Sequence, residues 1–96
     1  MLDDFSKLLY EAVLHLESVE ECEAFFEDIC TRRELESLSQ RLCVAACLKR
    51  KRTYAYITER VGASSVTISR INRAMQSGSG YGLALERIGS DRLADL

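Results

Sequence analysis

The side chains in this sequence best suited to chemistry are cations and short hydroxyls gathered just beyond its midpoint. Four cations form an unbroken run, Lys49-Arg50-Lys51-Arg52, and further along come Ser64, Ser65, Val66, Thr67, Ser69, Arg70 and Arg73. Lysine and arginine neutralise phosphates, and arginine also pairs bidentately with guanine. Short hydroxyl and methyl groups let a helix backbone approach base edges, and Val66 or the Thr67 methyl can meet a thymine methyl. The chemistry on offer is recognition of a DNA duplex, not bond making. His15 is the single histidine and has no nucleophile or carboxylate partner in a recognisable motif. No phosphate loop, nucleophile elbow or metalloprotease motif occurs, so the chain is not expected to be an enzyme. The cysteines Cys22, Cys30, Cys43 and Cys47 read as small buried hydrophobes rather than zinc ligands or disulfide partners, because Cys43 and Cys47 lie inside an apolar run. No metal is expected.

The overall charge of −2 conceals a strong asymmetry. Residues 1–30 hold nine acids and one lysine, a net of −8; residues 31–73 hold ten Lys/Arg and three acids, a net of +7; residues 74–96 come to −1. The field at one face decides phosphate attraction, because charges further away than a Debye length of about 8 Å are screened. An acidic N-terminal half also admits a second reading, a protein-interaction module that docks a basic partner on its first two helices. No apolar stretch approaches the roughly 18 residues a membrane span needs, and the acidic start lacks the basic region of a signal peptide. A cytoplasmic protein without membrane contact is expected.

The elements that must position these residues are helices. The sequence has no proline, and apolar side chains recur at Phe5, Leu8, Leu9, Ala12, Val13 and Leu16, one face of a helix over residues 3–17. Ser18-Val19-Glu20-Glu21 and Thr31-Arg32-Arg33-Glu34 both fit capping boxes, which predict helices starting at each. In the third helix every residue from Leu42 to Leu48 is apolar, which predicts burial on all sides. Thr53 can cap a short helix over 54–61, and Ser64 or Ser65 a further one to about residue 76. Ser77-Gly78-Ser79-Gly80 is a break, followed by a last short helix over about 81–88 and a tail, 89–96, expected to fray.

Within this series, residues 54–73 meet the demands of a helix-turn-helix. Ile57 and Val61 face inward from the first helix, and Ile68 and Ile71 from the second. Gly62 supplies the turn residue that must be left-handed, and Ala63 is small enough for a close crossing. The second helix then projects its hydroxyls and arginines outward.

The stretch Phe25 to Leu35, the Gln40-Arg41-Leu42 step and the segment from Thr53-Tyr54 through Gly62 to Arg73 resemble the Trp-repressor-related YerC/YecD family over roughly residues 5–88. The resemblance implies an all-α, six-helix, Trp-repressor-like fold forming an intertwined homodimer. Residues 1–48 would supply the dimerisation helices, 53–76 the DNA-reading helix-turn-helix, 81–88 the short C-terminal helix and 89–96 the tail. It implies a repressor-like transcriptional regulator with double-stranded DNA as partner. Arg41 and Arg70 stand where Trp repressor holds its corepressor, which makes them candidate effector-binding residues. Ile71 replaces the glycine that follows the second of those arginines, and its branched side chain fills the space an indole needs. No cofactor is expected; a small-molecule effector other than tryptophan is left open.

Overall fold

Helix boundaries in this protein follow from its caps. The computed structural model describes residues 3–78 and 80–96, which hold six α-helices, one short 3-10 helix and no strand among the described residues. They are α1 (Asp4–Leu14), α2 (Val19–Ile29), α3 (Arg32–Lys49), α4 (Tyr54–Val61), α5 (Ser65–Ser77), α6 (Gly80–Ile88) and the 3-10 turn η1 (Ser90–Leu93). Of the expected break between α5 and α6, Ser79 lies outside the described residues. The chain divides after Leu35 into two compact units.

In the N-terminal unit, the Asp3 carboxylate accepts from the Ser6 N–H at 2.7 Å and starts α1. That bond holds the Asp3 carboxyl below its ordinary pKa. The helix stops at Leu14, short of the periodic pattern, because the His15 and Leu16 N–H groups bond three residues back to Ala12 and Val13. His15 Nδ1 lies 2.7 Å from the Glu11 carbonyl, so the ring closes the helix end. Ser18 caps α2 by accepting from the Glu21 N–H at 3.1 Å. The return bond differs from the expected box: Glu21 Oε1 accepts from the Glu17 N–H at 2.8 Å, one residue before the cap. Thr31 and Glu34 form the full reciprocal pair, at 2.8 and 3.1 Å, and these bonds from Thr31 lower the Glu34 pKa. Neither α1 nor α2 has a buried residue, and Phe5 is 85% exposed.

The C-terminal unit holds the core: Val44, Ala45, Ala46 and Cys47 of α3, Ile57 of α4, Ala63 of the turn, Ile68 and Ile71 of α5, Leu85 of α6, and Leu93. Two expectations need correction. The apolar run of α3 is enclosed in its middle but not at its ends: Val44 to Cys47 are buried, whereas Leu42 is 43% exposed and Cys43 and Leu48 are half-buried. A helix carries about four residues per turn, so these four make one fully surrounded turn, and the turns on either side of it are only partly covered. Burial also pushes the Cys47 thiol pKa up. The second correction concerns the tail, which is ordered instead of frayed. Gly89, at φ 93°, turns the chain back, η1 follows, and Leu93 inserts into the core at 5% exposure. Burying a leucine stabilises by about 1.5–3 kcal/mol, which offsets part of the entropy cost of ordering this segment.

Candidate nucleic-acid interface

The α4–α5 pair is built around a left-handed turn. Thr53 caps α4, accepting from the Tyr56 N–H at 3.1 Å. Gly62 ends the helix at φ 84°, and its N–H donates to the Thr58 carbonyl at 2.9 Å. Ser64 caps α5, accepting from the Thr67 N–H at 3.2 Å. Ala63, between them, is enclosed at 2% exposure, which leaves no room for a larger residue at the crossing. Ile57 and Ile68 are fully buried, Ile71 nearly so and Val61 partly, so the expected four-residue clamp is in place. Tyr54 adds a polar tie, its hydroxyl lying 3.5 Å from Asn72 Nδ2 across the two helices.

The clamp decides what faces outward. Ser65, Val66, Ser69, Arg70 and Arg73 line one shallow, open depression of about 320 Å³ on α5. Val66 is 66% exposed, although it is apolar and sits in the first turn of the helix. Ser64 and Thr67 are differently employed. Besides capping, the Ser64 hydroxyl donates to Thr67 Oγ1 at 3.2 Å, and Thr67 is half-buried. Arg41 lies exposed on α3 and is not among the residues around that depression, while Ile71 lies in the core at 4% exposure.

The cationic run forms a corner, not a continuous strip. Lys51 adopts φ 61°, the left-handed region. Its N–H donates to the Leu48 carbonyl at 2.9 Å, and the Arg52 N–H to the Cys47 carbonyl at 3.0 Å, the paired bonds of a Schellman helix end. Lys49, Arg50 and Lys51 are exposed. Arg52 turns inward: its Nε and Nη2 donate to the Leu96 carbonyl at 3.1 and 2.9 Å, and its guanidinium lies 4.9 Å from the Tyr56 ring centroid. This tie was invisible in the sequence, because every residue carries a carbonyl and the acceptor is 44 positions away.

Lys51 gives a prediction with two signs. Glycine is the usual residue at a left-handed helix end, and a side chain there costs up to about 1 kcal/mol. Lys51→Gly is expected to raise the thermal midpoint by a few degrees, about 4–8 °C per kcal/mol for a domain this size. It also removes a cation from the corner. A melt with an unchanged or lower midpoint contradicts the strain assignment.

The fold is Trp-repressor-like: the Trp repressor protein family matches residues 5–88, and the chain belongs to it. Among particular relatives, it is 44% identical over 81 residues to the uncharacterised protein YerC of Bacillus subtilis (strain 168), spanning 83% of this chain and 78% of that one. The fold also matches the crystal structure of a candidate Trp repressor from Staphylococcus aureus, with a TM-score of 0.86 and 45% identity over 91% of this chain and 88% of the other. A TrpR-like protein from Eubacterium eligens ATCC 27750 matches with the same TM-score and identity, over 90% of each chain. Among the described residues no helix is long and apolar enough to cross a membrane.

Proposed function

We propose that this protein is a sequence-specific, double-stranded-DNA-binding transcriptional regulator of the repressor type, acting as an intertwined homodimer through a helix-turn-helix made of α4 and α5. The observation that carries the reading is the clamp across Gly62. It spends the apolar side of α5 on Ile57 and Ala63 and leaves Ser65, Val66, Ser69, Arg70 and Arg73 around one open surface. On this reading α5 lies in the major groove. Val66 meets a thymine methyl, Arg70 a guanine edge, and Ser65 and Ser69 base edges or nearby phosphates. Ser64 and Thr67 set the helix start and contribute through the α5 N-terminus, whose free N–H groups suit a phosphate. Lys49, Arg50, Lys51 and Arg73 engage backbone phosphates.

Exposed apolar surface supports the dimer. Phe5, Leu8 and Leu14 of α1 are 85%, 67% and 81% exposed. In the C-terminal unit, an open cavity of about 360 Å³ is lined by Leu42, Cys43, Ala46, Leu85, Ile88 and Leu93. On a small protein, exposed apolar side chains on one unit and an apolar hollow on the other each suit an interaction face. Two recognition helices would then enter successive major grooves about 34 Å apart on a roughly palindromic site.

Fluorescence anisotropy against duplex DNA, with light scattering for mass, tests the proposal. Four phosphate-binding cations per protomer amount to roughly eight per dimer, so log K should fall against log salt with a slope of about −7. Absence of binding by micromolar protein at low salt overturns the DNA reading, and a monomeric mass overturns the dimer.

A further inference from the structure

We propose that Arg52 is a positioning residue and not a DNA contact: with Leu93 and Arg60 it straps the C-terminal segment along α4 and so fixes the attitude of α4 and α5. The inference rests on the reading of α4–α5 as the DNA-reading pair, but the strap itself stands on contacts within the C-terminal unit. Arg52 immediately precedes the α4 cap, and two of its nitrogens close on the Leu96 carbonyl. Arg60, in the last turn of α4, donates from Nη2 to the Asp95 carbonyl at 3.3 Å. The segment is thus tied near both ends of the same helix. The two ties fall on adjacent carbonyls, and beside them Leu93 is buried and Leu96 packs on the core, so apolar contact holds the strap where the two arginines can reach it. The guanidinium of Arg52 is also the one that lies over the Tyr56 ring, inside α4.

Sequence alone makes Arg52 equivalent to Lys49, Arg50 and Lys51, yet its guanidinium geometry is committed. The fork presents Nε and Nη to one oxygen, and a lysine has a single nitrogen and cannot reproduce that grip. A phosphate contact has the opposite tolerance: a lysine at the same place keeps the charge and therefore the counterion release. The two roles separate on that difference.

The experiment compares the wild-type protein with Arg52→Lys, Arg52→Ala and a variant ending after Gly89, by amide hydrogen exchange and by salt-dependent anisotropy on duplex DNA. Amides in the first turn of α4, such as the Ile57 N–H bonded to Thr53, are expected to exchange about tenfold faster in all three variants. Adding Arg52→Lys to the shortened variant should change nothing further, because the strap is already gone. On DNA, Arg52→Lys and Arg52→Ala should each weaken binding about tenfold, with the salt slope unchanged near −7. Unchanged exchange in Arg52→Lys overturns the proposal, whatever the protein binds. So does a salt slope that falls by about 2 in Arg52→Ala, the signature of two lost phosphate contacts per dimer. Failure of the wild-type protein to bind duplex DNA sinks the DNA reading instead, and hydrogen exchange then decides the strap alone.

Discussion

Ile57→Ala is expected to cost about 2–5 kcal/mol of folding stability, the range for truncating an enclosed isoleucine. Ile57 has no exposed surface and belongs to one cluster with α3 residues Val44 to Cys47 and α5 residues Ile68 and Ile71. Removing three carbons there forfeits their transfer from water and leaves a cavity that helices held by caps at both ends of α4 can close only in part. A small domain carries only about 5–15 kcal/mol of net stability, so the loss is a large share of the whole. At about 4–8 °C per kcal/mol, the thermal midpoint should fall by roughly 10 °C or more, measured at fixed protomer concentration because dimerisation would contribute to the apparent stability. Val66→Ala is the control. That side chain is 66% exposed, and its truncation should move the midpoint by no more than about 0.5 kcal/mol's worth. A cost below about 1 kcal/mol for Ile57→Ala would show that α4 is not anchored by this core.

Where short-range chemistry decides, the fold was legible in the sequence. The Thr31 and Thr53 caps, and Ser64 as one of two candidates, read correctly, because a cap requires a particular residue type within three positions of its donor. Gly62 was legible as the turn because left-handed backbone strongly selects glycine. The same logic hid the left-handed residue at the end of α3, since a lysine occupies it. The Glu21 bond was misassigned by one position because Glu17 and Ser18 both present an N–H within reach of its side chain. The candidate site divided along similar lines. Val66, Ser69, Arg70 and Arg73 fall on one face at helical spacing, which periodicity predicts. Arg52 does not follow from its neighbours, because what removes it from the basic run is a tail whose order depends on Leu93 finding the core. The burial of α3 was overstated for a related reason: an apolar run states what a helix can bury, not how much of it the same chain covers.

The two exposed arginines of α5 should differ in what they do to DNA binding, and the difference is large. Arg70 lies one turn after Val66, and the residues near the start of a recognition helix are those that reach base edges. A bidentate arginine–guanine contact discriminates by about 1–3 kcal/mol, and a dimer makes two, so Arg70→Ala is expected to lose about 2–6 kcal/mol of preference for selected over random duplex. Its signature is compositional: DNA selected from a random pool should lose one guanine preference in each half-site. Arg73 lies near the middle of the thirteen-residue helix, one turn after Ser69, where the flank of α5 would face the sugar-phosphate wall. Arg73→Ala should weaken selected and random duplexes alike and flatten the log K against log salt slope from about −7 to about −5, since two phosphates per dimer lose their cation. Neither change should disturb folding, because both side chains are exposed and neither belongs to the core. If Arg70→Ala lowers the salt slope while leaving the selected sequence intact, α5 sits in the groove rotated about its own axis, with Arg70 on the backbone and Arg73 turned toward the bases. If both variants bind as the wild type does, α5 is not the reading helix, even though its apolar side remains clamped across Gly62.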